Sequence, residues 1–358
     1  MALSAALKAG SLNGLNYTPD EVTSGAFAAR VRELFPNEPF VQQCADFITE
    51  IFAPAPEVEV LTSGSTGTPK KLKAVKERMY ASAAMTIEHL RLQDGCTALL
   101  CMPLEHIAGK MMVMRALTGG MALTAQKPAA DPFASAPCDL DFAAITPMQA
   151  YCTLQNAQST KRLSSCKNII IGGGFIEPEL ERQLAALPGH FYHSYGMTET
   201  LSHIALRRLD GREQYFKPLP GVEISLSARG TLCIYAPRVN PQLLETNDLA
   251  EISKEGFTIL GRVDNVINSG GVKLIPELIE KEIAQTISTP FAISARRSAK
   301  YGEVAVLVSE AGLDPDLLAK ACAGLQRYQR PKAVIVMELP RTATQKIDRP
   351  RLRAMLNA

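Results

Sequence analysis

At 358 residues the chain is long enough for two or three domains with well-developed cores. Its composition, 46% hydrophobic, 21% charged and 6% aromatic without Trp, is that of a globular enzyme or binding protein and excludes disorder, collagen and coiled coil. A net charge of +2 is too small for a general nucleic-acid binder. No apolar run reaches the length of a membrane helix, and the start MALSAALKAGSLNG has too short an apolar core for a signal peptide. We therefore expect a cytoplasmic protein with no nucleic-acid partner and no membrane insertion; self-association stays open. The eight Cys (Cys44, Cys96, Cys101, Cys138, Cys152, Cys166, Cys233 and Cys322) form no CxxC pair and read as reduced core thiols. Charge is unevenly spread: residues 262–358 carry 15 Lys+Arg against 10 Asp+Glu, a surplus of five, whereas residues 1–261 carry 23 against 26. A basic C-terminal piece suits an anionic ligand such as a nucleotide, although a solvated helix face reads equally well.

In chain order, apolar β-branched runs alternate with helical patterns: VEVL at 58–61, TALLC at 97–101, FAAIT at 142–146, NIIIGGG at 168–174 and HFYHSYG at 190–196. That alternation predicts an α/β sheet. From about residue 219 the texture changes to short strands and turns (GVEISLS, GTLCIYAP, LAEIS, GFTILG), predicting a small β subdomain. After Gly261 come the loop RVDNVINSGG, a helix opened by Pro276, the strand VAVLV, the helix DPDLLAKACAGLQ, the strand AVIVM and the polar loop PRTATQKIDR. The reading is a large α/β domain over 1–261 and a smaller, mobile α+β domain over 262–358.

Four segments carry chemistry. Directly after VEVL, the run TSGSTGTPK supplies Thr62, Ser63, Ser65, Thr66 and Thr68 hydroxyls, the permissive backbone of Gly64 and Gly67, and the charge of Lys70. Such a loop can hold phosphate oxygens; a surface turn is the competing reading. It is not a Walker A loop, since Pro69 stands where that pattern, counted from Gly64, requires Gly. In SYGMTET, Tyr195 offers a ring for a base, Thr198 a hydroxyl and Glu199 a carboxylate suited to Mg²⁺. Asp248 of TND can accept both hydroxyls of a ribose and Arg262 can hold the other side of a nucleotide, unless Asp248 is simply a turn residue. Lys346 lies on the polar loop near the C-terminus and by itself reads as a surface lysine.

In this order and spacing the four segments resemble those of the adenylate-forming superfamily, which includes acyl-CoA synthetases. The resemblance runs from about residue 58 to the end. It implies that Thr62–Lys70 is the phosphate loop, that Tyr195, Gly196, Met197, Thr198 and Glu199 form the adenine and Mg²⁺ segment with Glu199 as the metal ligand, and that Asp248 and Arg262 hold the ribose. It further implies that Gly173 and Gly174 lie beside the adenine and Gly172 beside the acyl group, that Asp264 is the hinge, that Lys346 bridges carboxylate and α-phosphate, and that Gly270, Gly271 and Lys273 line the path of the coenzyme A thiol. The implied fold is that of adenylate-forming enzymes, shortened at the N-terminus. Two features depart from the pattern: only 61 residues precede the phosphate loop, so part of the usual N-terminal subdomain is expected to be missing or abbreviated, and Gln345 stands where Gly commonly precedes the lysine.

The acid is read from His106 in PLEHIAG and from Ser202 and His203 in TLSHIA. The His106 segment resembles the superfamily's acyl-pocket motif, and GMTET followed by Ser202, His203 and an apolar tail resembles o-succinylbenzoate CoA ligases of menaquinone synthesis, where His and Ser would pair the second carboxylate and the keto group; a pocket built for them rejects a plain fatty acid. Both histidines also read as satisfied core residues. His89, His190 and Cys101 show no metal-ligand spacing, so no zinc site is assigned. The expected reaction is ATP- and Mg²⁺-dependent adenylation of a carboxylic acid, followed by acyl transfer to coenzyme A. The alternatives are another aryl or acyl CoA ligase, an enzyme loading an acyl carrier protein, and a non-catalytic nucleotide-binding homologue.

Overall fold

The computed structural model describes residues 3–61, 71–342 and 347–358. The phosphate-loop residues Thr62–Lys70, together with Gln345 and Lys346, lie outside the described residues. The chain begins with the hairpin β1 (Gly10–Leu12) and β2 (Leu15–Tyr17) and the helices α1 (Pro19–Thr23), α2 (Ala26–Leu34) and α3 (Pro39–Phe52). Thr18 and Glu21 form a capping box around Pro19, which starts α1 without wasting a backbone N–H. Val41, Cys44, Ala45, Ile48, Ile51 and Phe52 give α3 one buried face.

The run VEVL becomes β3 (Glu57–Leu61). Contrary to the alternation read from the sequence, it does not enter the large sheet but pairs antiparallel with β4 (Lys71–Val75) in a sheet of two. Its side chains alternate between buried and exposed, which a strand buried on both faces would not do. Helix α4 (Lys76–Leu90) follows, then β5 (Thr97–Leu100), α5 (Ile107–Gly119), β6 (Ala122–Ala125), β7 (Phe142–Ile145), α6 (Pro147–Leu154), α7 (Ala157–Ser165), β8 (Asn168–Ile171), α8 (Pro178–Ala185), β9 (His190–Gly196), β10 (His203–Arg208) and β11 (Lys217–Pro218). They build a nine-stranded sheet in the order β11-β10-β9-β8-β7-β5-β6-β1-β2. Its centre, β9-β8-β7-β5-β6-β1, is parallel, and antiparallel strands close both edges. The central strands TALL, FAAI and NIII are almost wholly buried, because helices cover both faces of a parallel sheet.

A four-stranded antiparallel sheet, β12 (Glu223–Leu226), β13 (Thr231–Ala236), β14 (Asn240–Ser253) and β15 (Gly256–Arg262), stands where the β subdomain was expected. One strand is much longer than LAEIS: β14 begins at Asn240 and carries Thr246, Asn247 and Asp248, so Asp248 is a strand residue opposite Arg262, not a turn residue. The third large sheet contains β16 (Ile267–Ser269), β17 (Val272–Leu274), β18 (Phe291–Ser298), β19 (Gly302–Ser309) and β20 (Val334–Val336), with α9 (Pro276–Ile283), α10 (Pro315–Ala321) and α11 (Arg349–Met355) around it. Residues between 267 and 356 bury two apolar clusters of their own, one around Ile279, Ile293 and Leu307, the other around Val306, Leu339 and Leu352. No helix among the described residues is long and apolar enough to cross a membrane. Six cysteines are buried, but Cys138 is exposed and Cys152 half-buried, so these two are not core thiols.

Candidate active site

The candidate residues gather at the carboxyl ends of β8 and β9, the edge at which open α/β sheets place ligands. Gly172 follows β8 and packs closely on the neighbouring strand: a Cβ there would stand 2.3 Å from Ser194 Oγ, so the serine hydroxyl would have to turn aside. Gly173 has φ +86°, so the chain turns there in a conformation glycine tolerates. The carbonyl of Gly174 accepts a hydrogen bond from His193 Nε2 at 3.1 Å. That bond leaves Nδ1 as the unprotonated nitrogen, and it is buried without a partner among the described residues. Burial first, then the charge of Arg207, pushes His193 down to about 4, so the ring is neutral.

Tyr195 ends in a hydroxyl that donates to Asp248 Oδ2 at 2.6 Å, joining the large sheet to the four-stranded one. Its ring meets Phe257 edge-on with centroids 5.4 Å apart and Phe216 at 5.9 Å. Burial and the nearby Asp248 carboxylate raise the Tyr195 pKa, so the phenol keeps its proton. Asp248 Oδ1 faces Arg262 Nη1 at 3.4 Å, and Arg262 Nη2 reaches Asp264 Oδ2 at 3.1 Å. Asn247 donates to the same Asp264 oxygen at 3.2 Å. Tyr195, Asp248, Arg262 and Asp264 thus form one connected chain of side chains. Met197, Thr198 and Glu199 occupy the turn after β9; the Glu199 side chain is exposed and its carbonyl accepts from Asn240 Nδ2 at 3.1 Å. A single free carboxylate suits Mg²⁺, which is commonly held by one or two protein carboxylates together with substrate phosphates.

Leu201, at φ +64°, reverses the chain into β10. A branched apolar residue in this region is unusual, and such backbone strain concentrates at functional sites. Beyond it, Ser202 and His203 join a network that the sequence reading missed. Arg115, in the third turn of α5, is buried at 3% exposure. Its Nη2 donates to Ser202 Oγ at 2.5 Å and its Nε to Thr86 Oγ1 at 3.3 Å. Thr86 gives its own proton to Ser82 O at 3.1 Å, so its two lone pairs take Arg115 Nε–H and, at 3.2 Å, His203 Nε2–H. His203 Nδ1 is then the acceptor for the Ser202 hydroxyl, 3.3 Å away. Burial and the charge of Arg115 hold His203 well below its ordinary pKa, so it is neutral. Burial lowers Arg115 to about 10, and it remains a cation at neutral pH. No carboxylate pairs with it among the described residues. The only hint in the sequence was a second cation, after Lys110, deep inside the otherwise apolar helix IAGKMMVMRALTG.

His106 belongs elsewhere. It caps the start of α5, about 13 Å along the axis from Arg115 at the helical rise, and its backbone bridges Leu61, the residue before the phosphate loop. Its Nδ1 is buried without a partner among the described residues. The structure therefore groups Ser202 and His203 with Arg115, and places His106 at the root of Thr62–Lys70. Gly270 and Gly271, with φ of +58° and +86°, form the two-residue turn between β16 and β17, where both central residues need positive φ. Lys273 is exposed on β17.

A mainly parallel sheet with polar groups gathered at its strand ends is the arrangement in which open α/β folds hold small ligands. The chain belongs to the AMP-binding enzyme family, whose model matches residues 58–241. Among curated relatives, the 2-succinylbenzoate–CoA ligase of Escherichia coli is 30% identical over 238 residues, covering 63% of this chain and 51% of that protein. The enzyme of the same name from Salmonella typhimurium is 28% identical over 296 residues, covering 77% and 64%. The chain thus spans about half to two thirds of these relatives' length. Among solved structures, an acyl-CoA synthetase (AMP-forming)/AMP-acid ligase II-like protein from Dyadobacter fermentans is similar at TM-score 0.62 and 36% identity, over 90% of this chain and 96% of that one. A variant of Escherichia coli MenE with bound OSB-AMS aligns at TM-score 0.67 and 27% identity, over 84% and 68%.

Proposed function

We propose that the protein is an AMP-forming acid–thiol ligase that adenylates o-succinylbenzoate with ATP and transfers the acyl group to coenzyme A, as a cytoplasmic step of menaquinone synthesis. The observation that carries the choice of acid is Arg115: a buried guanidinium that, among the described residues, bonds only to neutral groups has an unmet need for an anion. An acid with a second carboxylate supplies that anion, and Ser202 is the neighbouring hydroxyl.

A free carboxylate is a poor acyl donor because its carbon is shielded by negative charge and its leaving group would be oxide. Converting it to an acyl-AMP anhydride supplies a good leaving group, but the carboxylate must approach an α-phosphate that is itself anionic. Fixed positive charge is what lowers that barrier. We assign this to Lys346, with Thr62–Lys70 holding the phosphates, Tyr195, Gly173 and Gly174 the adenine, and Asp248 and Arg262 the ribose. Glu199 would hold Mg²⁺, which shields phosphate charge when bound. We assign residues 262–358 as the mobile unit, turning about Asp264 to bring Gly270, Gly271 and Lys273 to the thiol path. Arg262, bonded to both Asp248 and Asp264, would then register nucleotide binding at the hinge.

The test is AMP and thioester formation by the purified protein with Mg-ATP, coenzyme A and o-succinylbenzoate, with benzoate and a medium-chain fatty acid for comparison. Thioester from o-succinylbenzoate alone is the expected result. Preference for either other acid, or transfer only to an acyl carrier protein, would replace this reading with one of the wider ligase readings.

A further inference from the structure

Among the described residues two cations are fully buried, Lys76 at 2% exposure and Arg115 at 3%, and they are compensated unequally. Lys76 Nζ donates to the carbonyls of Glu50 and Ala53 at 2.5 and 2.9 Å, at the end of α3, where the helix dipole supplies negative charge. Arg207 and Arg349, both half-buried, each hold a carboxylate in a two-pronged pair, with Glu181 and Glu280. Arg115 has neither a carboxylate nor a helix end. Its partners are Ser202, Thr86 and the thioether of Met112, the last 3.7 Å from Nη1. Those contacts use three of the five N–H groups of a guanidinium and leave one on each terminal nitrogen without a partner among the described residues. The residues outside that set contain no Asp or Glu, so the chain has no further carboxylate to offer. A buried water can accept the two spare hydrogens, but it leaves the charge uncompensated.

We propose that Arg115 carries a small exchangeable inorganic anion, chloride in ordinary buffers, which the second carboxylate of the acid displaces. The inference rests on the o-succinylbenzoate reading and names what competes with that acid at the same guanidinium. A monovalent anion answers the two spare N–H groups and the uncompensated charge together. The polarisable Met112 sulfur beside Nη1 and the neutral hydroxyls of Thr86 and Ser202 suit a weakly hydrated anion such as chloride, whereas gluconate is too large for so enclosed a guanidinium. Acid binding is then an exchange of one anion for another: the buried charge is never left unpaired, and chloride acts as a competitive inhibitor of an acid with a second carboxylate.

The experiment uses the full chain and Arg115→Gln, with thermal unfolding to show that the variant folds. Chloride NMR line widths are measured at constant ionic strength, made up with gluconate, before and after o-succinylbenzoate is added. The native chain is expected to broaden the line, and both the substitution and the added acid are expected to reduce that broadening. In turnover, for a dissociation constant on the order of 0.1 M, replacing gluconate by about 0.2 M chloride should raise KM for o-succinylbenzoate about threefold and leave kcat and KM for ATP unchanged. Equal broadening by the native chain and the folded variant, or the same KM for o-succinylbenzoate in chloride and in gluconate, overturns the proposal. So does a chloride effect on KM for ATP alone, which puts the anion on the phosphate side. The KM comparison needs only the native chain, so it decides the matter even where the variant does not fold. Broadening that Arg115→Gln removes, in a protein that makes no thioester from o-succinylbenzoate, keeps the anion site and removes the choice of acid. Thioester formation from o-succinylbenzoate with no chloride effect removes this inference and leaves the ligase reading standing.

Discussion

Arg115 shows how much of the proposed acid pocket's electrostatics rests on one side chain. Every group around it is neutral: Thr86 is saturated, His203 is held as the Nε2–H tautomer, and Ser202 passes its proton on to His203. Removing the guanidinium should therefore affect an acid carrying a second carboxylate and leave a monocarboxylate untouched. Arg115→Ala is expected to lower kcat/KM for o-succinylbenzoate by about 10- to 100-fold, in line with about 1.5–3 kcal/mol for a hydrogen bond to a charged group; equal losses with benzoate would show that the arginine only supports the fold. His193 gives a second prediction, on pH. Its folded pKa of about 4 lies below the ordinary value of 6.5. As pH falls below 6.5 the unfolded chain takes up the proton first, so stability present at neutral pH is lost between 6.5 and about 4, at up to about 1.4 kcal/mol per pH unit. His193→Gln can still donate to Gly174 O but does not titrate. Urea midpoints at pH 7 and pH 5 should differ less for this variant than for the native chain.

At the scale of elements, the contact between β9 and the turn into β10 decides whether the two halves of the site are assembled. A Cβ on Gly196 would stand 2.3 Å from Ser202 O and 2.5 Å from His203 Cα, both backbone atoms that cannot swing aside. Gly196→Ala should cost about 1–3 kcal/mol by overpacking. It should weaken ATP and acid binding together, which separate titrations of the two ligands would show. The C-terminal helix has a comparable dependence. Arg349 opens α11 and meets Glu280 of α9 in a two-pronged pair at 2.6 and 3.0 Å, while Glu280 also accepts the Ile293 N–H at 2.7 Å. The two side chains are 25% and 17% exposed, so removing the acid strands a half-buried cation, at about 2 kcal/mol after allowing for solvent. Glu280→Ala should speed amide exchange across Arg349–Met355, three residues beyond Lys346, before the large sheet loosens.

For the whole molecule, what the sequence made legible follows burial. The parallel strands announced themselves as continuous apolar runs because helices cover both faces, and the texture change near residue 219 marked the antiparallel sheet. Strands with another physical origin were hidden. β1 and β2 are three residues each, β18 carries Arg296 and Arg297 just before its last residue, and the middle of β14 reads as a turn because Thr246, Asn247 and Asp248 are polar. The motif segments were visible because they are local. Arg115, His193 and the Tyr195–Asp248 bond were not, because each gains its meaning only when elements distant in the chain are folded together.

The Ser202 contact also bears on engineering. Its carbonyl backs onto Gly196, on the side proposed for the nucleotide, and its hydroxyl answers Arg115, on the side proposed for the acid. One residue thus separates by atom type what a designer would want to vary separately. Under the proposed function, substrate range would be retuned through side chains at positions 115 and 202 while the main chain keeps its shape for ATP, whereas any insertion between Gly196 and His203 would disturb both.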